Sequence, residues 1–165
     1  MFKGLKQRWY NFILCIKYPI IIPRTMIKDR MCTNFFSHTW LDHFPEGWKN
    51  LGLNFFKELQ EVLNKSPKDE RKSFRIYDIK EKFGSLRIHL SWFTDAIEQV
   101  VNKYEKLSAK TCIYCGRKAR WKTVGWVEPL CNHCRKEYTH KYKVEPLYRK
   151  HKRKRYDKKR FSKIK

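Results

Sequence analysis

Glycine is scarce in this chain: six in 165 residues, too few to hide the Gly-rich loop that cradles a nucleotide phosphate. Acidic residues are scarce too. Sixteen Asp and Glu stand against 39 Lys and Arg, a net charge of +23. No apolar run approaches the roughly 20 residues of a membrane span. The best stretch, Phe12 to Ile22, is broken by Lys17 and Pro19, and no secretory signal opens the chain. No two-carboxylate or ββα-metal pattern is legible. These absences argue against nucleotide-dependent enzymes, membrane spans and acidic-site hydrolases.

An excess of +23 opposes compaction through self-repulsion, so folding does not require it. It points to a polyanionic partner: nucleic acid first, an anionic membrane surface second, an acidic protein third. The excess is concentrated from Lys141 onward, where residues 141–165 hold 13 Lys or Arg and two acids. In Arg149, Lys150, Lys152, Arg153, Lys154 and Arg155, then Lys158, Lys159 and Arg160, like charges stand almost side by side. Such a block stays solvated until a polyanion neutralises it. Tyr148, Tyr156 and Phe161 interleave with the cations and suit stacking on unpaired bases.

The sharpest motif is Cys112-Ile-Tyr-Cys115 followed, fifteen residues later, by Cys131-Asn-His-Cys134. Two C-x2-C turns at this spacing match a zinc site, in which each turn aims two thiolates at one ion. Four thiolates fill a tetrahedron, so the expected ion is a single structural Zn2+. His133 inside the second pair is expected to point outward. Cys15 and Cys32 sit among apolar neighbours and read as buried, unreactive thiols. Arg117 to Val124 alternates basic and apolar residues and reads as a strand. It places Arg117, Lys118, Arg120 and Lys122 on a basic strip, with Trp126 as a candidate stacking platform and Trp121 on the module's own small core.

Periodicity outlines the rest. Residues 1–46 read as an irregular apolar segment with three prolines, containing a helix over Leu5 to Ile16, an extended piece at Ile20 to Ile22, and anchors at Phe35-Phe36 and Trp40-Leu41-Phe44. A helix from about Gly47 to Asn64 shows an apolar stripe of Trp48, Leu51, Phe55, Leu59, Val62 and Leu63, and Pro67 to Lys72 reads as a polar linker. Phe74 to Lys80 and Leu86 to Leu90 read as a hairpin about the Gly84 turn, with Phe83 as a possible hook. Thr94 caps a second helix carrying Ile97, Val100, Val101, Tyr104 and Leu107. The expected fold is therefore α+β: a helix–hairpin–helix core over 47–110, a four-cysteine zinc ribbon over 111–137, and a basic tail over 138–165.

Gly47-Trp48, Ile79-Lys-Glu-Lys-Phe-Gly-Ser-Leu-Arg87, Leu107-Ser108, Thr111-Cys112-Ile-Tyr-Cys115-Gly116, Gly125-Trp126 and Cys131-Asn-His-Cys134 occur in this order. Together they resemble a family of small zinc-ribbon proteins found in bacteriophages and bacterial genomes. The resemblance covers roughly half the chain and implies a fold and a metal, with no activity attached. It leaves the first 46 residues and the tail outside.

These readings converge on a cytoplasmic zinc-ribbon protein, in the host cytoplasm if phage-encoded. It is expected to bind RNA or DNA, RNA somewhat ahead, as an accessory factor in a nucleoprotein assembly. Two alternatives accompany it. The apolar N-terminal segment would dock on a host protein or defence complex. Alternatively, His38, Asp42 and His43 would serve a metal-dependent nuclease, although no recognisable catalytic constellation supports an enzyme.

Overall fold

A computed structural model of the chain describes residues 2–23 and 38–148. Helix α1 (Phe2–Lys17) leads into a 3-10 turn at Pro19–Ile21, and two more 3-10 turns (Trp40–His43 and Glu46–Trp48) precede α2 (Lys49–Lys65). Helix α3 (Lys68–Ser73), strands β1 (Ile76–Lys82) and β2 (Ser85–Leu90), and α4 (Asp95–Ser108) follow. The C-terminal part holds β3 (Trp121–Thr123), β4 (Pro129–Leu130), α5 (Asn132–Tyr138) and β5 (Val144–Pro146). The described residues are thus mixed helix and strand with two small sheets: the β1–β2 hairpin and a three-stranded sheet in the order β4-β3-β5.

The main core forms where the amphipathic faces of α2 and α4 meet the inner face of the hairpin. Phe55, Phe56, Leu59 and Leu63 of α2 pack with Ile97, Val100, Val101 and Tyr104 of α4 and with Ile79, Leu86, Ile88 and Leu90 of the strands. Alternation puts Leu86, Ile88 and Leu90 on one face, as period 2 requires. Thr94 Oγ1 accepts the Ile97 N–H at 3.3 Å and so caps α4. The hairpin closes through a two-residue turn, with Phe83 at φ +53° and Gly84 at φ +76°. Positive φ at both central residues matches the right-handed twist of the strands. Trp48, Trp40, Leu41, Phe44 and Ile21 close the core from the N-terminal side.

Several local expectations need correction. Of Ile20–Ile22 only Ile22 is extended, because Pro19 pre-sets φ at the first position of a 3-10 turn that takes in Ile20 and Ile21. Pro67 to Lys72 is not a linker. Pro67 precedes α3, whose first turn carries Asp69 and Glu70 and whose last carries Arg71 and Lys72, as the helix dipole favours. Leu107 turns to solvent, and Ser108 takes the buried end of the α4 stripe. The described residues within 1–46 are less irregular than the prolines suggest, since α1 alone spans sixteen residues. Phe35, Phe36 and Cys32 lie outside the described residues.

Candidate metal centre

The first cysteine pair sits in a turn directly after α4. Gly116 N–H donates to Cys112 O at 3.0 Å and Cys112 N–H to Arg117 O at 2.7 Å, a loop closed by Gly116 at φ +74°. The second pair departs from the expected ribbon. Cys131 is the N-cap of α5, and its Sγ accepts the Cys134 N–H at 3.4 Å. The second pair therefore opens a helix instead of forming a second turn between strands. Arg117 to Arg120 likewise form no strand apart from one bridge between Thr111 and Lys118, and β3 starts only at Trp121.

The four Sγ atoms all lie within 4.8 Å of one another, with Cys112, Cys131 and Cys134 buried and Cys115 exposed. Cys115 and Cys131 stand 3.5 Å apart, and all four cysteines are free. That separation is far beyond a disulfide bond of about 2.05 Å. It is close to the edge of about 3.8 Å expected for a tetrahedron with metal–sulfur bonds of about 2.3 Å. Four thiolates so close repel strongly unless a cation sits among them. Burial raises the Cys112 pKa, and burial with the Cys115 thiol raises that of Cys134. At Cys131 burial also pushes upward, but the Cys134 N–H and neighbouring thiols outweigh it and lower the pKa to about 7. The donor set fits one metal ion, with no coordination position left for water or substrate. His133 stays outside it, exposed and 3.4 Å from Glu137 Oε1.

Gly47, Trp48 and the hairpin tip fix this centre to the core. Gly47 lies against the first cysteine turn so closely that a Cβ there would meet Cys112 O at 2.3 Å and the N atoms of Cys115 and Gly116 at 2.7 Å. Its N–H donates to Ile113 O at 2.9 Å, and the Trp48 indole N–H donates to Thr111 O at 3.0 Å. At the hairpin tip, a Cβ on Gly84 would meet Val127 Cγ1 at 2.8 Å, so the turn rests on the β3–β4 loop. Ser108 Oγ accepts the buried Leu86 N–H at 2.7 Å and locks the hairpin to α4. Gly47-Trp48 and the Gly84 turn thus hold the metal centre against the core, and Ser108 fixes the hairpin that carries the turn.

The basic side chains separate into groups. Arg117, Lys118 and Arg120 are exposed on the metal module. Lys122 is not free for a ligand in the same way, because its Nζ lies 3.2 Å from Glu145 Oε1. Glu145 arrives on β5, a strand inside the segment expected to be tail: Val144–Pro146 pairs with Trp121–Thr123. Trp121 packs inward, with its N–H on Asn132 Oδ1 at 2.8 Å and the Arg135 guanidinium 3.9 Å from its ring centre. Trp126 is 73% exposed on the β3–β4 loop. Thr123 Oγ1 holds that loop, donating to Trp126 O and accepting the Glu128 N–H. Glu128 in turn accepts from Tyr114, which stacks on Tyr138 at 4.3 Å. Arg149, Lys150, Lys152, Arg153, Lys154, Arg155, Lys158, Lys159 and Arg160 lie outside the described residues.

The histidine pair is assembled locally. His38 Nε2 and His43 Nε2 are 3.0 Å apart, and His38 Nδ1 lies 3.5 Å from Asp42 Oδ2. Asp42 also accepts the Thr39 N–H at 2.6 Å, so its carboxylate caps the 3-10 turn. Among the described residues, the cysteine set is the only group of three or more ligand-type side chains close enough to share an ion. No described helix is long and apolar enough to cross a membrane. Comparison with protein-family models, curated proteins and solved structures gave no match.

Proposed function

We propose that this chain is a zinc-ordered nucleic-acid-binding protein acting as an accessory factor in a nucleoprotein assembly. Four thiolates hold a single structural Zn2+, the ion that suits a closed tetrahedral sulfur shell. The observation that carries the reading is the +23 charge, part of it exposed as Arg117, Lys118 and Arg120 beside an exposed Trp126 on the metal module. Cations hold phosphates without reading sequence, and an aromatic face accepts any unpaired base. Tyr148, 62% exposed where the dense basic run begins, adds a second stacking surface. Stacking on unpaired bases favours RNA and single strands over duplex DNA. The resemblance noted above supports phage encoding.

Fluorescence anisotropy with a labelled single-stranded RNA, the matching DNA strand and the duplex tests this across a salt series. Engagement of six or more phosphates predicts a slope of log K against log salt of about −4 on single strands. Replacing the nine Arg and Lys between Arg149 and Arg160 with Ser should remove most of the affinity and flatten the slope. Absence of binding near physiological salt, or a slope near zero, would reject the proposal.

A further inference from the structure

Helix α1 carries apolar side chains on two opposite faces. One, with Leu14 and Cys15 around Asn11, is buried against the core. The other faces water: Leu5 is 63% exposed, Trp9 65%, Ile13 47% and Ile16 66%. At about 100° per residue these four fall within an arc of about 80°, along roughly 16 Å of helix. Large apolar side chains gathered this way mark a surface that something covers.

The charges around the stripe indicate what that is. Arg8 borders one side, and Lys6 and Lys17 border the other, all three exposed. The helix contains no acidic residue. Cations on both flanks of an apolar stripe let the helix lie flat in a lipid interface, with the stripe among acyl chains and the charged heads at phosphates. A protein groove would need acidic residues on both rims to match the same pattern, whereas a leaflet of anionic lipid supplies negative charge on every side. From this complementarity we infer that α1 is a peripheral docking surface for anionic membranes. The site is distinct from the metal module and from the cations assigned to nucleic acid.

The test is co-sedimentation of the full-length, nuclease-treated, zinc-loaded protein with vesicles of phosphatidylcholine containing roughly a third phosphatidylserine, at about 150 mM salt. The comparison is the double variant Ile13→Asn with Ile16→Asn. It changes no charge and touches only side chains that face water, so the basic tail attracts both proteins to the vesicles equally. The inference predicts that the double variant partitions about tenfold more weakly. It further predicts that pure phosphatidylcholine binds far less wild-type protein. A blue shift in tryptophan emission on vesicle addition should disappear in Trp9→Phe. Equal partitioning of wild type and double variant would overturn the inference, because the tail alone would then explain binding. So would wild-type protein that ignores the anionic vesicles while the stripe substitutions abolish capture of a protein ligand. Affinity for RNA, measured on the same double variant, should not move, which keeps this outcome separate from the fate of the nucleic-acid proposal.

Discussion

Adding one methyl group at Gly47 probes how the metal centre is held to the rest of the molecule. In Gly47→Ala the new carbon would lie 2.3 Å from Cys112 O and 2.7 Å from two backbone nitrogens. All three obstacles are main chain and belong to the turn that aims Cys112 and Cys115, so neither side can yield by turning a rotamer. The core and the cysteine turn must separate by about 1 Å, an overpacking strain of about 1–3 kcal/mol. Separation also lengthens the Gly47–Ile113 and Trp48–Thr111 hydrogen bonds, each worth about 1 kcal/mol. The total, about 3–5 kcal/mol, is a large share of an ordinary domain's stability. At about 2–4 °C per kcal/mol for a chain of this size, Tm should fall by roughly 10 °C. Because the displaced turn carries two ligands, a chelator should also strip the metal faster. Gly125→Ala is the control: Gly125 sits at φ +91° with no atom within 4 Å of its would-be Cβ. That substitution should cost about 1 kcal/mol of backbone strain and leave metal retention unchanged. A Gly47→Ala protein that melts within a degree of wild type and keeps its metal equally well would refute the reasoning.

Ser108→Ala should cost about 1–3 kcal/mol in chemical denaturation, because it leaves the buried Leu86 N–H without an acceptor. Trp126→Ala should weaken single-stranded RNA binding by about 1–3 kcal/mol with Tm unchanged, since the ring is exposed and supports nothing. Burial and the neighbouring His38 depress the His43 pKa below its ordinary 6.5. The unfolded chain then takes up this proton first as pH falls. The stabilising contribution of neutral His43 is complete above about pH 6.5 and is lost as pH drops through the depressed folded value. His43→Gln should flatten the stability profile in that window and leave it unchanged at pH 8.

The elements legible in the sequence are those whose signal is local and periodic. The α2 and α4 stripes, the Thr94 cap and the alternation through Leu86, Ile88 and Leu90 each show in a short window. The four thiols declared themselves by spacing. Their setting did not: cysteine is an unusual N-cap, so nothing around Cys131 announces that α5 begins there. Strand β5 was hidden because Val144-Glu-Pro146 is short and surrounded by cations, and only pairing with Trp121–Thr123 makes it a strand. That pairing also reassigns Lys122, which the residue pattern placed on an open basic strip. The contact of Gly47 with the cysteine turn joins residues 65 or more apart in sequence, beyond any window of periodicity. The two-faced character of α1 was half visible, since Trp9, Ile13 and Ile16 repeat at helical spacing. Periodicity marks an apolar face without saying whether the core or an external surface covers it.

Native mass spectrometry of the purified full-length chain tests the central claim most directly. The account predicts one zinc ion per molecule, with all six cysteines in the thiol or thiolate state and the ion lost when Cys112 and Cys131 are both changed to Ser. A metal-free chain, or one lighter by the hydrogens of two disulfides among Cys112, Cys115, Cys131 and Cys134, would contradict it.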